Sequence, residues 1–269
     1  MPDLPIFPAG AGLTYVDVYG SKTPDGQCGG CPHMHLACTE MYYVVHGEGA
    51  VEFLTYREGP RRILLAPGKV VYFSPGVIHR LVNVSGDLAV LVLMENSGLP
   101  ELGDAVMTFP RQHLANSSAY ALALAVVDQH AYQATRTTIS TVAEAEAMRD
   151  LAVLGYVDLL NAFTASPEEG RSSLDAFHQA ATELARPLVD EWSDVVAVGA
   201  AQALGRTTQM LQEISAGRSD YLRGGAVVDV PEVDGSRLNL SMCGFMWPYL
   251  PEGVTFDTLS GKDFFGACS

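Results

Sequence analysis

The sequence predicts an α+β chain in which an antiparallel β sandwich or barrel comes first, a helical region follows, and a short β and aromatic tail ends the chain. Short apolar runs separated by Gly and Pro turns fill residues 1–110. Ala, Leu, Glu and Gln, which favour helix, are frequent in residues 111–218. Residues 219–269 return to short apolar runs with clustered aromatic side chains. We expect these three stretches to be three structural units.

The strands of the first unit are predicted from short runs rich in β-branched and aromatic residues, each bounded by a turn signal. One clear boundary is the sequence from His46 to Gly49, which separates two such runs. Many short strands with close turns are typical of antiparallel sandwiches and barrels. The predicted strands cover residues 13–19, 41–45, 50–56, 61–66, 70–73, 81–84 and 88–94.

The second unit is expected to contain four or five helices, and its start signals are explicit. Thr141 followed three residues later by Glu144 forms a capping box before an apolar periodic run. Ser166 followed by Pro167 is a second start signal, because Pro is favoured at the first helical position. A last helical run is expected over residues 207–215.

The tail is predicted to form strands at residues 226–230 and 238–242. Phe245, Met246 and Trp247 then make an aromatic, apolar cluster. Such a tail could add strands to the barrel or cover its mouth, and the sequence leaves both alternatives open.

Composition and charge restrict the function class. The formal net charge is −15, from 31 acidic and 16 basic residues, so the phosphate backbone of a nucleic acid would be repelled. No run of eighteen apolar residues is present, so we expect no membrane-spanning helix and no membrane partner. The first residues lack the pattern of a signal peptide, which predicts a cytoplasmic protein.

Five cysteines are present, and their odd count and wide spacing do not suggest a secreted disulfide framework. Cys28 and Cys31 form a C-x-x-C motif, with Cys38 nearby. Such spacing can bind zinc or form a redox disulfide, or the thiols can remain reduced in a Gly-rich loop.

Four residues form a candidate metal site: His33, His35, Glu40 and His79. On a strand, His33 and His35 point to the same face because side chains alternate. Glu40 lies an odd number of residues after His35, so the chain must bend before it for the carboxylate to join them. Imidazole and carboxylate together suit one divalent transition metal, namely Fe, Mn, Ni, Co or Zn.

Two residues are candidates for catalysis. Glu40 can act as a metal ligand that also moves protons. Tyr42 has the same strand parity as Glu40, so its hydroxyl is expected either to line the pocket as a hydrogen-bond donor or to pack in the core. His46 shares this parity as well, but its place before Gly47 favours a turn.

Two segments of this sequence resemble the two motifs of the cupins. The first segment matches that pattern except at its leading glycine, which is Gln27 here, and the second except at its second proline, which is Ser74 here. Both departures fall in turn positions. The matching residues are His33, His35, Glu40 and Gly47 in the first motif, and Pro67, Gly68, Gly76, His79 and Asn83 in the second.

The resemblance covers about residues 10–95 and implies a small jelly-roll β-barrel with a metal inside. Since cupin barrels often pair through their sheets, it also implies a homodimer. The family contains dioxygenases, decarboxylases, isomerases, lyases and sugar sensors, so fold alone leaves the reaction open. We expect a metal-dependent oxidoreductase or isomerase acting on a small organic molecule. A metal-containing sugar-like binding or sensor protein without turnover is the alternative, and a partner protein in a biosynthetic pathway is the third hypothesis.

Overall fold

The structure is a computed structural model that describes residues 7–124, 141–232 and 239–249. Its first part consists of short antiparallel strands, and the predicted strands are present with small shifts at their ends. Two strands of three residues each, His33–His35 and Ala105–Met107, are present in addition to the predicted ones. The strands are β1 Gly12–Val18, β2 His33–His35, β3 Glu40–His46, β4 Gly49–Thr55, β5 Gly59–Leu65, β6 Val70–Phe73, β7 Ile78–Asn83, β8 Ala89–Met94, β9 Ala105–Met107, β10 Asn239–Leu240 and β11 Gly244–Pro248.

The strands form two antiparallel sheets that face each other, which confirms the predicted cupin-like jelly-roll arrangement. The six-stranded sheet has the order β10-β11-β1-β8-β3-β6, and the five-stranded sheet has the order β5-β4-β7-β2-β9. One part of the prediction needs correction, because the two sheets are not hydrogen-bonded into a closed barrel.

The space between the sheets is filled by side chains from alternate positions of the facing strands, as expected where one face of each strand is buried. Val16, Tyr42, Val44 and Phe73 come from the six-stranded sheet and Phe53 from the five-stranded sheet, and each is at most 8% exposed. This layer holds the two sheets together and surrounds the site described below.

The helical region begins as predicted. Thr141 Oγ1 accepts from the Glu144 amide, and the Glu144 carboxylate accepts from the Thr141 amide, which confirms the capping box. Ser166 caps the next helix in the same way by accepting from the Glu169 amide. The described helices are α1 Ser117–Leu124, α2 Val142–Ala165, α3 Pro167–Ala185, α4 Val189–Val196 and α5 Gln202–Ser215.

Helices α2 and α3 cover the outer face of the five-stranded sheet. Met148 and Tyr156 of α2 and Phe177 of α3 pack against Met34 and Ile78, and all five side chains are buried. The helical region is therefore joined to the strands by a continuous apolar core.

The last helices lie apart from this core. A five-residue π-helix, Ala197–Ala201, links α4 to α5. Leu204, Leu211 and Ile214 of α5 are each more than half exposed. Among the helices that the structure describes, none is long and apolar enough to cross a membrane.

The tail contributes two strands to the six-stranded sheet, where β11 pairs with β1 and β10 pairs with β11. The prediction of a strand at residues 226–230 is wrong, because this stretch pairs with no strand among the described residues and Val227 is 97% exposed. The second predicted tail strand is shortened to Asn239–Leu240, and residues 233–238 and 250–269 lie outside the described residues.

Candidate metal centre

The four predicted ligands come from both sheets and meet between them. His33 and His35 lie on β2 and His79 lies on β7, where His33 and His79 are directly paired across the strands. Glu40 begins β3 in the opposite sheet. The bend between β2 and β3 brings Glu40 to the histidines in spite of its odd spacing. All four residues are at most 4% exposed.

A turn fixes the start of β7 relative to β2. Gly76 has a φ of 85°, a left-handed conformation that favours glycine. Its amide donates to the carbonyl oxygen of His35 at 3.0 Å. This contact joins the second ligand strand to the first just before His79.

The ligand atoms are close together. The Nε2 atoms of His33 and His79 are 3.0 Å apart, and Nε2 of His79 is 3.0 Å from Oε2 of Glu40. Nε2 of His35 is 3.2 Å from the same Glu40 oxygen. One ligand atom from each of the four residues lies within 4.8 Å of every other.

The hydrogen bonds of the Nδ1 atoms of His33 and His79 determine which ring nitrogen faces the centre. Nδ1 of His33 is 2.9 Å from the carbonyl oxygen of Cys31, and Nδ1 of His79 is 3.1 Å from that of Val77. A carbonyl oxygen only accepts, so each Nδ1 carries the proton and donates it. The Nε2 atom of each ring is therefore the one that faces the centre.

This donor set fits a divalent transition metal. Ligand atoms bound to one ion at about 2.1 Å lie about 3 Å apart when adjacent, which matches the separations found here. Nε2 of His35 and Oε2 of Glu40 are buried and face each other at 3.2 Å, with no other hydrogen-bond partner among the described residues. A buried carboxylate beside three imidazole nitrogens is a donor set that suits a divalent cation.

The electrostatics of the centre agree with this description. Burial lowers the pKa of His33 well below its ordinary value, and the neighbouring His79 and His35 lower it further. Burial also lowers the pKa of His35, but hydrogen bonds with Asp104 and Glu40 outweigh burial and raise it to about 9. Burial raises the pKa of Glu40, but His79 and His35 outweigh burial and hold it well below its ordinary range. Glu40 is therefore the negative charge of the centre.

Tyr42 lies one alternate position beyond Glu40 on β3 and is 1% exposed. Its ring packs edge-on against Phe73, with centroids 5.3 Å apart, and its centroid is 6.2 Å from that of His79. Burial and the nearby charge of Glu40 raise the pKa of Tyr42. Among the described residues, no hydrogen bond of ordinary geometry engages its hydroxyl. The ring packs in the core, and the role of the hydroxyl as a donor in the pocket stays a prediction.

The four cysteines that the structure describes lie outside this group of ligands. Cys28, Cys31, Cys38 and Cys243 are all free thiols. Cys31 is fully buried, and its Sγ is 3.3 Å from Sδ of Met107. Burial raises the pKa of Cys31 well above its ordinary value, so its thiol is neutral. This arrangement favours the interpretation of the C-x-x-C motif as reduced thiols.

A cleft of about 670 Å³ lies beside β3, on the outer side of the six-stranded sheet. Met41 and Leu93 line one wall, and they are cross-strand partners on the face opposite to the Glu40 carboxylate. Ala200, Ala203 and Leu204, from the π-helix and α5, line the other wall. The cleft is mainly apolar, and its volume is within the range of small-molecule sites.

Asp104 is a residue of the centre that the sequence patterns missed. It is fully buried, and its Oδ2 lies 2.7 Å from Nδ1 of His35. It follows Gly103 and precedes β9, outside both motif segments. The one sequence feature that could have pointed to Asp104 is its position directly before the apolar run at residues 105–107.

Comparison with protein families agrees with the geometry. The model of the family described as "Cupin domain" matches residues 22–94, the segment that contains all four ligands. A search among curated proteins found no match.

Solved structures similar to part of this chain were also found. A TDP-fucose-3,4-ketoisomerase from Campylobacter jejuni is 18% identical with a TM-score of 0.26, and the alignment covers 31% of this chain and 58% of the ketoisomerase. A capsular polysaccharide assembling protein from Staphylococcus aureus is 18% identical with a TM-score of 0.29, covering 36% of this chain and 26% of that one. A cupin protein from Bacteroides fragilis is 20% identical with a TM-score of 0.25, covering 33% of this chain and 68% of that one.

Proposed function

Because residues 22–94 form a cupin domain, we propose that this chain is a metal-dependent enzyme acting on a small organic molecule. One divalent transition metal would be held by His33, His35, Glu40 and His79. The observation that carries the proposal is the convergence of three imidazole nitrogens and one carboxylate oxygen in a buried space.

A bound ion would act as a Lewis acid, or would take part in oxygen chemistry if it is iron. Dioxygenase, isomerase, decarboxylase and lyase reactions all use such a centre in small-molecule metabolism. Four protein ligands leave room in a six-coordinate shell for water or for a chelating substrate.

The protein's own groups would orient the substrate and control its protons. Tyr42 is held neutral by its raised pKa, so its hydroxyl would donate a hydrogen bond to a substrate oxygen. Glu40, which stays ionised, would hold the ion through Oε2 and accept a proton at its other oxygen. Apolar rings such as Phe73, whose centroid is 4.2 Å from that of His79, would limit access of water to the centre.

The test is the metal content of protein purified without a histidine tag, measured by elemental mass spectrometry. We expect about one equivalent of metal in the natural protein and loss of most of it in His79→Ala, with the fold retained by circular dichroism. Equal metal content in the two proteins would refute the ligand assignment.

The identity of the metal directs the activity assays. Iron would favour oxygen-dependent reactions, whereas manganese, nickel or zinc would favour isomerase, decarboxylase or lyase assays. Tyr42→Phe should keep the metal and lose turnover, since it removes only the hydroxyl. A metal-loaded protein that binds small molecules but turns none over would support the sensor alternative instead.

A further inference from the structure

The three histidines of the centre have different partners. His33 and His79 each donate Nδ1–H to a main-chain carbonyl oxygen, which is neutral. His35 donates to the carboxylate of Asp104 at 2.7 Å, and Asp104 is 0% exposed. A carboxylate partner makes the opposite ring nitrogen a stronger metal ligand than a carbonyl partner does.

The Asp104 carboxylate is itself held in one orientation. Its Oδ1 accepts from the amides of Leu36 and Ala37 at 3.0 and 2.6 Å. These two amides directly follow His35, so the same short segment supplies the ligand and fixes the carboxylate that orients it. Oδ2 is thereby left for Nδ1 of His35.

The segment around Asp104 is backed by the helical region. Nε1 of Trp192, on α4, donates to the carbonyl oxygen of Leu102 at 3.0 Å. Leu99 and Leu102 pack with Trp192 in a separate apolar cluster. Asp104 thus belongs to a segment that follows the cupin domain and is held by helices.

We propose that Asp104 is a positioning residue that fixes His35 in the Nδ1–H tautomer and so directs the lone pair of Nε2 at the metal position. The effect on metal affinity rests on the proposed function, whereas the tautomer can be observed without metal. The helical region would then contribute to the centre indirectly, by holding the segment that carries Asp104.

Asp104→Asn is the decisive variant. The Leu36 and Ala37 amides require an acceptor, so they would hold the side-chain carbonyl oxygen and turn the NH₂ group toward Nδ1 of His35. Nδ1 would then have to accept, and the proton would move to Nε2. The same exchange of Asp for Asn beside a catalytic histidine imposes the wrong tautomer in serine proteases.

Glu101→Gln is the matched control. Glu101 is a neighbouring carboxyl whose Oε2 is buried without a hydrogen-bond partner, and burial raises its pKa. It makes no hydrogen bond to His35, although its charge acts on that ring, so its replacement should leave the tautomer unchanged and alter the metal affinity far less than Asp104→Asn does.

The experiment is ring ¹⁵N NMR of the metal-free proteins in strongly alkaline buffer, together with zinc and cobalt titrations. We expect Nδ1–H at His35 in the natural protein and in Glu101→Gln, and Nε2–H in Asp104→Asn. Zinc affinity should fall about 10- to 100-fold in Asp104→Asn alone.

Nε2–H at His35 in the natural protein would overturn the inference without any variant, so it stays testable if Asp104→Asn fails to fold. An unchanged tautomer and affinity in Asp104→Asn would also overturn it. The tautomer result separates this inference from the proposed function: a natural protein with Nδ1–H that binds no metal would refute only the proposed function.

Discussion

The Nε2 atoms of His33 and His79 lie 3.0 Å apart in a space that solvent does not reach. Both Nδ1 atoms face carbonyl oxygens, so in the metal-free protein the two Nε2 lone pairs point at each other unless one of them binds a proton. Such a contact is unfavourable unless a cation lies between the two nitrogens. The folded chain therefore keeps a local electrostatic cost that a bound ion would remove.

Metal binding should accordingly stabilise the fold. At a free metal concentration of about 100 times Kd, the stabilisation is about 2.7 kcal/mol. For a chain of this size, this corresponds to a rise in Tm of roughly 5–10 °C. The check is a thermal melt of chelator-treated protein with and without added zinc or cobalt.

His79→Ala is the control for this melt, because it removes one of the two facing nitrogens. Its Tm should stay the same when metal is added, and its metal-free form should lose little of the natural stability since the unfavourable contact is gone. An equal metal-induced shift in both proteins would place the ion somewhere other than between His33 and His79.

The ion pair between Arg80 and Asp25 predicts how the stability of the fold changes in acid. Arg80 is fully buried, and its guanidinium binds Asp25 at 2.5 Å and Thr23 at 2.8 Å. Burial raises the pKa of Asp25, but hydrogen bonds from Arg80, Thr23 and Gln27 outweigh burial and hold it well below its ordinary value. A carboxyl with a lowered folded pKa contributes stability above its unfolded pKa of about 3.9. That contribution is lost as the pH falls through the folded pKa.

Asp25→Asn should therefore lower the free energy of unfolding at pH 7 by roughly 3 kcal/mol. This value is at the lower end of the usual range for leaving a buried charge unpaired. The reason is that Glu52, 3.9 Å from Arg80, would still partly balance the charge of Arg80. In urea titrations, the difference from the natural protein should shrink below a pH of about 4.

Asp220→Asn is a matched control for the same titrations. Asp220 pairs with Arg223 at 3.0 Å, but both side chains are about four-fifths exposed, at 78% and 84%. Its replacement should change stability by less than about 1 kcal/mol at any pH. An Asp25→Asn difference that stays constant down to low pH would contradict the role given to the buried pair.

Sequence patterns could predict the ligands because local rules decide their positions. His33 and His35 must share one face of any strand, and the turn at Gly76 sets the start of the strand that carries His79. The helix starts at Thr141 and Ser166 follow equally local capping rules. These features need no knowledge of distant packing.

Other features depend on contacts between residues far apart in the chain. Asp104 lies 69 residues from His35, and no local pattern links the two. Sheet closure likewise depends on whether edge strands meet in space, and here they do not. The stretch at residues 226–230 has a strand-like composition but lacks a neighbouring strand, so tertiary context outweighs propensity.

Asn83 provides a prediction about how the two sheets are joined. It is 4% exposed, and its Nδ2 donates to the carbonyl oxygen of Val18 at 2.9 Å. Its Oδ1 accepts from the amides of Gly86 and Leu88 at 2.8 and 3.2 Å. One amide side chain thus satisfies three main-chain groups and ties β7 to β1.

Asn83→Ala would leave those main-chain groups without this partner. Gly86 is exposed, so two of the three groups are buried. Since each buried unsatisfied group costs about 1–3 kcal/mol, we expect a loss of at least about 2 kcal/mol in the free energy of unfolding. Metal content of the folded fraction should stay the same, because Asn83 supplies no ligand. Asn161→Ala on the exposed surface of α2 is the control and should change stability by less than about 0.5 kcal/mol. Equal effects of the two substitutions would refute the role of Asn83.

Two glycines in helices differ in surroundings. Gly155 in α2 packs directly on the main chain around β9, where an added Cβ would overlap the carbonyl oxygen of Thr108 and lie 2.6 Å from the carbonyl carbon of Phe109. Thr108 reinforces this contact, because its Oγ1 donates to the carbonyl oxygen of Ala152 at 2.9 Å. Gly205 in α5, by contrast, has no described atom within 4 Å of its ideal Cβ position apart from those of its own stretch of helix.

The same substitution should therefore have opposite effects at the two positions. Gly155→Ala should destabilise the protein by at least 3 kcal/mol, because the overlapping atoms belong to main chain that cannot move aside easily. Gly205→Ala should stabilise it by about 0.5–1 kcal/mol, since alanine restricts the unfolded chain and meets no obstacle in the helix. Urea unfolding at a fixed metal concentration measures both values. Stabilisation by Gly155→Ala would mean that α2 does not pack against β9 in solution, and that the helical region is not held to the strands at this point.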